Sequence, residues 1–145
     1  MCIRDRAGFV VPDFASQMAA IKLGLRDAVM SVGNLDTQRD FTDVRDVAKA
    51  YSALAESGEP GQAYFICSGR PVSIRYLLET LSYLAEIEPE INYDPARMRP
   101  SDTPVLYGSH ERITADTGWQ PEIEIRQSLS DALDDWSARL ENSKR

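Results

Sequence analysis

The stretch from Ser73 to Pro89 constrains the fold most. A capping serine precedes Ile74, Leu77, Leu78, Leu81 and Leu84 at three- and four-residue steps, and the proline stops the helix. So wide an apolar stripe has to be buried against other elements. Further helical stripes are predicted from Val11 to Leu25 (Phe14, Met18, Ile21, Leu25, with Pro12 in the first turn and Gly24 near the end) and after the capping Asp43 (Val44, Val47, Ala48, Tyr51, Leu54, ending near Gly58). A short helix is expected around Arg112 to Thr117, stopping at Gly118, and a last one carries Leu129, Leu133, Trp136 and Leu140. Between them lie short strand candidates: Ala28 to Val32, running into the Gly33-Asn34 turn; Ala63 to Cys67, after the turn at Glu59-Pro60-Gly61; and Ile91 to Tyr93. Ala63 to Cys67 lacks polar alternation, the pattern of a strand covered on both faces in a parallel sheet, so it needs neighbours. Helices alternating with short strands predict the α/β class, in one continuous unit without repeats or a low-complexity linker.

Charge and cysteine content narrow the function. A net charge of −7 argues against a broad nucleic-acid surface, which needs clustered basic residues, yet leaves room for a small anionic ligand held by two arginines. Cys2 and Cys67 are far apart, with only His110 as an imidazole partner, so neither a metal site nor a disulfide is expected; Cys67 reads as buried and inert. No apolar stretch approaches the ~20 residues of a membrane span, and no apolar signal core opens the chain, so a cytoplasmic location is expected. Residues 1–7 have no periodicity and do not join naturally onto the helical pattern that starts at Val11, and a non-native leader is expected there.

Two constellations can carry chemistry. The first is Gly33-Asn34-Leu35-Asp36-Thr37-Gln38-Arg39-Asp40-Phe41-Thr42-Asp43, a polar loop leading into a capped helix. A glycine lets backbone approach a ligand, and an arginine projecting from such a loop can grip a phosphate through paired donors. A salt bridge from Arg39 to Asp40 or Asp43 would use the same residues without any ligand. The second is Asp94 to Pro104, where three prolines stiffen a loop with two arginines and two aspartates. Guanidinium donors suit a pyrophosphate and carboxylate acceptors suit ribose hydroxyls, while a solvated turn with internally paired charges is the plainer alternative.

The phrases RDFTDVRDV from Arg39, YFICSG from Tyr64, CSGRPVSIR from Cys67, DPARMRPSDTPVLYG from Asp94 and the late Gly118-Trp119-Gln120-Pro121 resemble the extended short-chain dehydrogenases acting on GDP-sugars. Of these, RDFTDVRDV, CSGRPVSIR and DPARMRPSDTPVL are closer to the GDP-4-dehydro-6-deoxy-mannose reductases than to the GDP-mannose dehydratases, and the family resemblance covers nearly everything from Gly8 to Trp136. The resemblance implies an α/β C-terminal substrate-binding lobe, residues 8–142, with the last helix and strand of a Rossmann sheet. It implies that Arg39 and Arg99 clamp the pyrophosphate of a GDP-sugar, that Asp102 accepts hydrogen bonds from the ribose, and that Asn34, Phe9, Val10 and Asp13 are substrate neighbours. It also implies a reaction: NADPH or NADH delivers hydride to C4 of GDP-4-dehydro-6-deoxy-D-mannose, giving GDP-D-rhamnose. A dehydratase or epimerase fragment, or a non-catalytic nucleotide-sugar-binding module, remains the alternative.

This chain departs from the family pattern in two places. Phe65 follows Tyr64 where asparagine is usual, and Ser109-His110 stands where an acid is expected, so the next helix is capped differently. His110 reads as a surface residue rather than a catalyst. The glycine-rich turn that holds a dinucleotide and the Tyr-x-x-x-Lys pair are not in this sequence, so no catalytic or cofactor-binding residue is named, the cofactor unit is expected outside the chain, and the chain alone is expected to be inactive. The family's usual dimer interface would also fall outside it, leaving a homodimeric parent open. The apolar faces of the Asp43 helix and the Tyr64 strand would then be uncovered, and self-association is expected.

Overall fold

The computed structural model describes residues 9–98 and 103–143; Arg99 and Asp102, like the expected leader, lie outside them. Helix α1 (Val10–Lys22) is followed by strands β1 (Val29–Val32) and β2 (Gln38–Asp40), helix α2 (Val44–Ser57), strand β3 (Pro71–Ser73) and helix α3 (Ile74–Ala85). Strand β4 (Glu90–Tyr93), a single 3-10 turn at Pro95–Arg97, strand β5 (Val105–Leu106) and helices α4 (Glu111–Thr117) and α5 (Ile125–Asn142) complete the order. The α/β class is borne out.

The main core forms where α1, α3 and α5 pack on one another and on β1. Met18, Met30, Leu77, Leu81 and Leu129 are fully buried there, each contributing about 1.5–3 kcal/mol relative to exposure. The Ser73 helix forms as its pattern predicts: the Ser73 hydroxyl accepts from Tyr76 N–H, and Ile74, Leu77, Leu78 and Leu81 are buried. In α5, Leu129 and Leu133 are buried, and Trp136 and Leu140 pack partly against the same core. The stripe of α1 loses its last member. The helix ends at Lys22, Gly24 turns left-handed at φ 65°, and Leu25 beyond it is exposed.

β1 and β4 pair in parallel, Val29 with Glu90 through Val32 with Tyr93. In the other sheet β2 is central, antiparallel to β3 and parallel to β5. Strands of two or three residues show no readable period, which is why Gln38–Asp40, Pro71–Ser73 and Val105–Leu106 read as loop in the sequence.

A smaller core joins α2 and α4. Ala50, Ile113 and Trp119 are buried together, with Ala53, Leu54, Tyr64 and Ile66 packed against them. Two expectations are corrected here. The buried face of α2 is set by Asp46 and Ala50, whereas Ala48 and Tyr51, assigned to the apolar stripe, are exposed. The run Ala63 to Cys67 forms no strand: among the described residues no strand lies beside it to form a ladder, and Tyr64 and Ile66 turn inward while Phe65 is 73% exposed. Both leave apolar surface open, as expected for elements that need neighbours.

Besides Ala50, Ala53 and Leu54, two acids hold α2. Asp43 caps it through Arg45 N–H at 2.9 Å, takes Arg45 Nε and Nη2 at 2.8 Å each, and accepts from Ser128 Oγ of α5 at 2.6 Å. Asp46 is wholly buried; its Oδ2 accepts from Glu122 and Ile123 N–H at 3.0 and 2.8 Å, and its carbonyl from Trp119 Nε1 at 3.0 Å.

Candidate functional site

The two loops singled out in the sequence meet on one side of the molecule. Gly33 follows β1, and a Cβ there would lie 2.3 Å from the Arg97 carbonyl oxygen, so the 94–98 turn rests directly on the glycine. Further along the same loop, Gln38 N–H donates to the Pro104 carbonyl at 2.8 Å, and β2 pairs Gln38 with Val105 and Arg39 with Leu106. The described residues on either side of the segment bearing Arg99 and Asp102 are therefore both anchored on the stretch from Gly33 to Arg39.

Arg39 sits on β2, not on a loop. Its Nη1 donates to the Gln38 carbonyl at 2.6 Å and lies 3.4 Å from the Pro104 carbonyl. The acids beside it are engaged elsewhere, Asp43 as above. Asp40 accepts from Ser68 N–H and Oγ at 2.8 and 2.6 Å and from Gly69 N–H at 2.9 Å, and so ties β2 to the 67–70 turn. The Asn34 side chain accepts from Asp36 N–H at 2.9 Å, closing an Asx turn. Asp36 pairs with Arg75 at 2.9 Å, and Ile74 and Arg75 N–H donate to the Thr37 and Leu35 carbonyls, docking the loop on the start of α3.

At the start of α1, Phe9 occupies the cap position, its carbonyl accepting from Asp13 N–H at 3.0 Å, and Val10 packs partly on the core. The Asp13 carboxylate takes Gln17 Nε2 at 3.1 Å and Arg97 Nη1 at 2.5 Å. Arg97 and Gln17 are the residues sequence reading missed. Gln17 is buried, its amide bonded to both Ser31 backbone groups; a polar residue inside an apolar helical stripe was the signal for it.

Arg45 holds the Asp43 carboxyl far below the usual carboxylate range; burial opposes the shift and the Ser128 hydroxyl adds to it. Burial, reinforced by the Asp40 charge, pushes the Cys67 thiol up, in keeping with an inert cysteine. His110 is not the surface residue expected. It is half-buried, edge-on to Trp119 with ring centres 6.1 Å apart, because the left-handed Gly69 brings the 67–70 turn against its ring. As expected from the Ser109-His110 departure, Ser109 Oγ rather than an acid accepts from Glu111 N–H at the start of α4.

Among the described residues no group of histidine, cysteine or carboxylate side chains could hold a metal ion, and no helix is long and apolar enough to cross a membrane. Among the described residues, two surface hollows border α3; the larger also touches Leu35 and Arg75 beside the first loop. One of 950 Å³ runs along α3 past Leu78, Tyr83 and Ile87, and one of 480 Å³ lies between Leu84 and the start of α5; neither is lined by Arg39, Asp13 or Arg97.

The chain is an α/β lobe in which two loops rich in arginine and aspartate dock on one another beside the three-stranded sheet. The chain belongs to the family described as GDP-mannose 4,6 dehydratase, whose profile matches residues 3–132. It is 46% identical over 136 residues to GDP-6-deoxy-D-mannose reductase of Pseudomonas aeruginosa, covering 94% of this chain and 45% of that protein. The solved structure of RMD from Pseudomonas aeruginosa complexed with NADPH superposes with a TM-score of 0.90 at 42% identity, covering 95% of this chain and 46% of that one. A GDP-mannose 4,6-dehydratase of Sinorhizobium fredii is 27% identical over 137 residues, covering 81% of this chain and 38% of that protein. The chain thus spans less than half the length of these relatives.

Proposed function

We propose that this chain is the nucleotide-sugar-binding part of a reductase that converts GDP-4-dehydro-6-deoxy-D-mannose to GDP-D-rhamnose with NADPH or NADH. The observation that carries the reading is the 46% identity to GDP-6-deoxy-D-mannose reductase across 94% of the chain, against 27% for the dehydratase. The loop seam supports it. A guanidinium on β2 and a stiff arginine-bearing loop, docked on each other at Gly33 and Gln38, can present paired donors to a diphosphate.

In this reading Arg39 and Arg99 grip the diphosphate, Asp102 accepts from the ribose hydroxyls, and Asn34, Phe9 and Val10 border the ligand. The cofactor supplies hydride when bound. This chain has neither a glycine-rich strand-to-helix turn nor a Tyr-x-x-x-Lys pair, so its residues do not fit the cofactor and no proton or hydride step is assigned to them. Their contribution is to hold the sugar nucleotide still, which is where much of the barrier to a two-substrate reaction is lowered.

A chimera tests the activity: the preceding half of the Pseudomonas aeruginosa reductase joined to this chain. NADPH-dependent consumption of GDP-4-dehydro-6-deoxy-D-mannose supports the proposal. Dehydration of GDP-mannose instead would assign the chain to the dehydratase reaction, and an inactive chimera together with tight GDP-mannose binding by a stable monomer of the chain would favour a non-catalytic module.

A further inference from the structure

The seam between α1, the end of β1 and the turn at Pro95–Arg97 contains a closed circuit of polar contacts. Arg97 Nη1 lies 2.5 Å from Asp13 Oδ2, and Arg97 Nε lies 3.6 Å from Asp94 Oδ2. Asp13 Oδ2 also accepts from Gln17 Nε2 at 3.1 Å, and Gln17, buried in the helix layer, donates to the Ser31 carbonyl and accepts from Ser31 N–H. Asp94 closes the loop: its N–H donates to the Val32 carbonyl at 2.9 Å, and its side chain caps the turn through Ala96 N–H at 2.9 Å. Inside the circuit lies Gly33, with no room for a side chain beneath the Arg97 carbonyl.

We infer that Asp13 is a positioning residue: its carboxylate fixes Arg97, and through the Arg97 main chain it sets the spacing between the Gly33 turn and the 94–98 turn. The inference rests on the reading that these two loops flank the sugar nucleotide, and it gives Asp13 a different part from the substrate contact suggested by resemblance. Two donors from the protein share its Oδ2, so its orientation is set before any ligand arrives. Both carboxylates that face Arg97 are anchored on β1, Asp13 through Gln17 and Asp94 through Val32. The guanidinium is therefore held on a rigid frame, and its planar fork loses little freedom in forming the pair. Were the pair broken, the turn would lose its tie to α1, and its own internal bonds, Arg97 N–H to the Asp94 carbonyl and Met98 N–H to the Pro95 carbonyl, would open more often.

The test compares the full chain with Asp13→Asn, Arg97→Gln, the double variant and Asp13→Glu. Amide hydrogen exchange at Ala96, Arg97 and Met98 and affinity for GDP are measured on each. Expected is exchange faster by about tenfold or more in either single variant, with GDP affinity about five- to tenfold weaker and no further loss in the double variant, as for two groups acting as one unit. Asp13→Glu, which keeps the carboxylate, recovers most of both effects. Unchanged exchange in Asp13→Asn overturns the inference, as do additive losses in the double variant, which mark Asp13 as a direct ligand contact. If the wild-type chain fails to bind GDP, the functional reading fails, and the exchange measurements still decide the role of Asp13.

Discussion

Asp43 shows how much one carboxylate can carry: it caps α2, pairs bidentately with Arg45 and accepts from Ser128 of α5, all while buried. Asp43→Asn is expected to destabilise the chain by about 2–4 kcal/mol at neutral pH, from loss of the charge-assisted bonds and weakening of the cap. Its folded pKa is depressed, so the contribution is fully present above the unfolded value of 3.8 and drains away as pH falls below it toward the folded value. Urea unfolding as a function of pH should show a steep loss for the wild type below about pH 4 and a shallower one for Asp43→Asn. At the proposed site, Arg39→Ala should weaken GDP binding by about 10- to 100-fold, since a charge-assisted hydrogen bond is worth about 1.5–3 kcal/mol. Arg39→Lys should recover only part of it, because an ammonium lacks the fork, and isothermal titration with GDP reads both.

At the scale of the element, Gly33→Ala places a methyl group within 2.3 Å of the Arg97 carbonyl, backbone against backbone, where no rotamer can relieve it. A loss of about 1–3 kcal/mol is expected, with weaker GDP binding because the two loops are forced apart. Gly61→Ala is a useful contrast: nothing lies within 4 Å, so its cost is limited to the strain of a left-handed φ of 82°. Elements were legible in the sequence where they were long. α3 and α5 have enough turns for an apolar stripe to outweigh local accidents, and Ser73 and Asp43 announce helix starts by a mechanism local to one turn. The three-stranded sheet was not legible, because Gln38–Asp40 and Val105–Leu106 are polar or too short to alternate, and their pairing depends on contacts more than 60 residues apart in sequence, as in the Gln38 to Val105 register. The Ala63–Cys67 run misled for the opposite reason: its composition is that of a strand, but a strand needs a ladder. The site was legible only as two loops. Their contact through Gly33, and the part taken by Arg97, come from tertiary packing that no spacing within either loop encodes.

The molecule has a large core on the α1–α3–α5 side and a smaller one around Ala50, Ile113 and Trp119. Tyr51 is 64% exposed and Phe65 73%, and Leu106 and Tyr107 also stand open to solvent. The chain is therefore expected to self-associate at micromolar concentration, and Tyr51→Lys with Phe65→Lys should shift it toward monomer without lowering its melting temperature. Sedimentation velocity across a dilution series checks this; a monomeric, cooperatively melting wild type contradicts it. The proposed binding mode requires one geometry above all, with Arg39 and Arg99 facing the same diphosphate. A crystal structure of the chain with a bound GDP-sugar tests it most directly. Both guanidinium groups within hydrogen-bonding distance of the diphosphate oxygens is the predicted result; arginines facing away from each other, or a ligand seated in the hollow along α3, would contradict it.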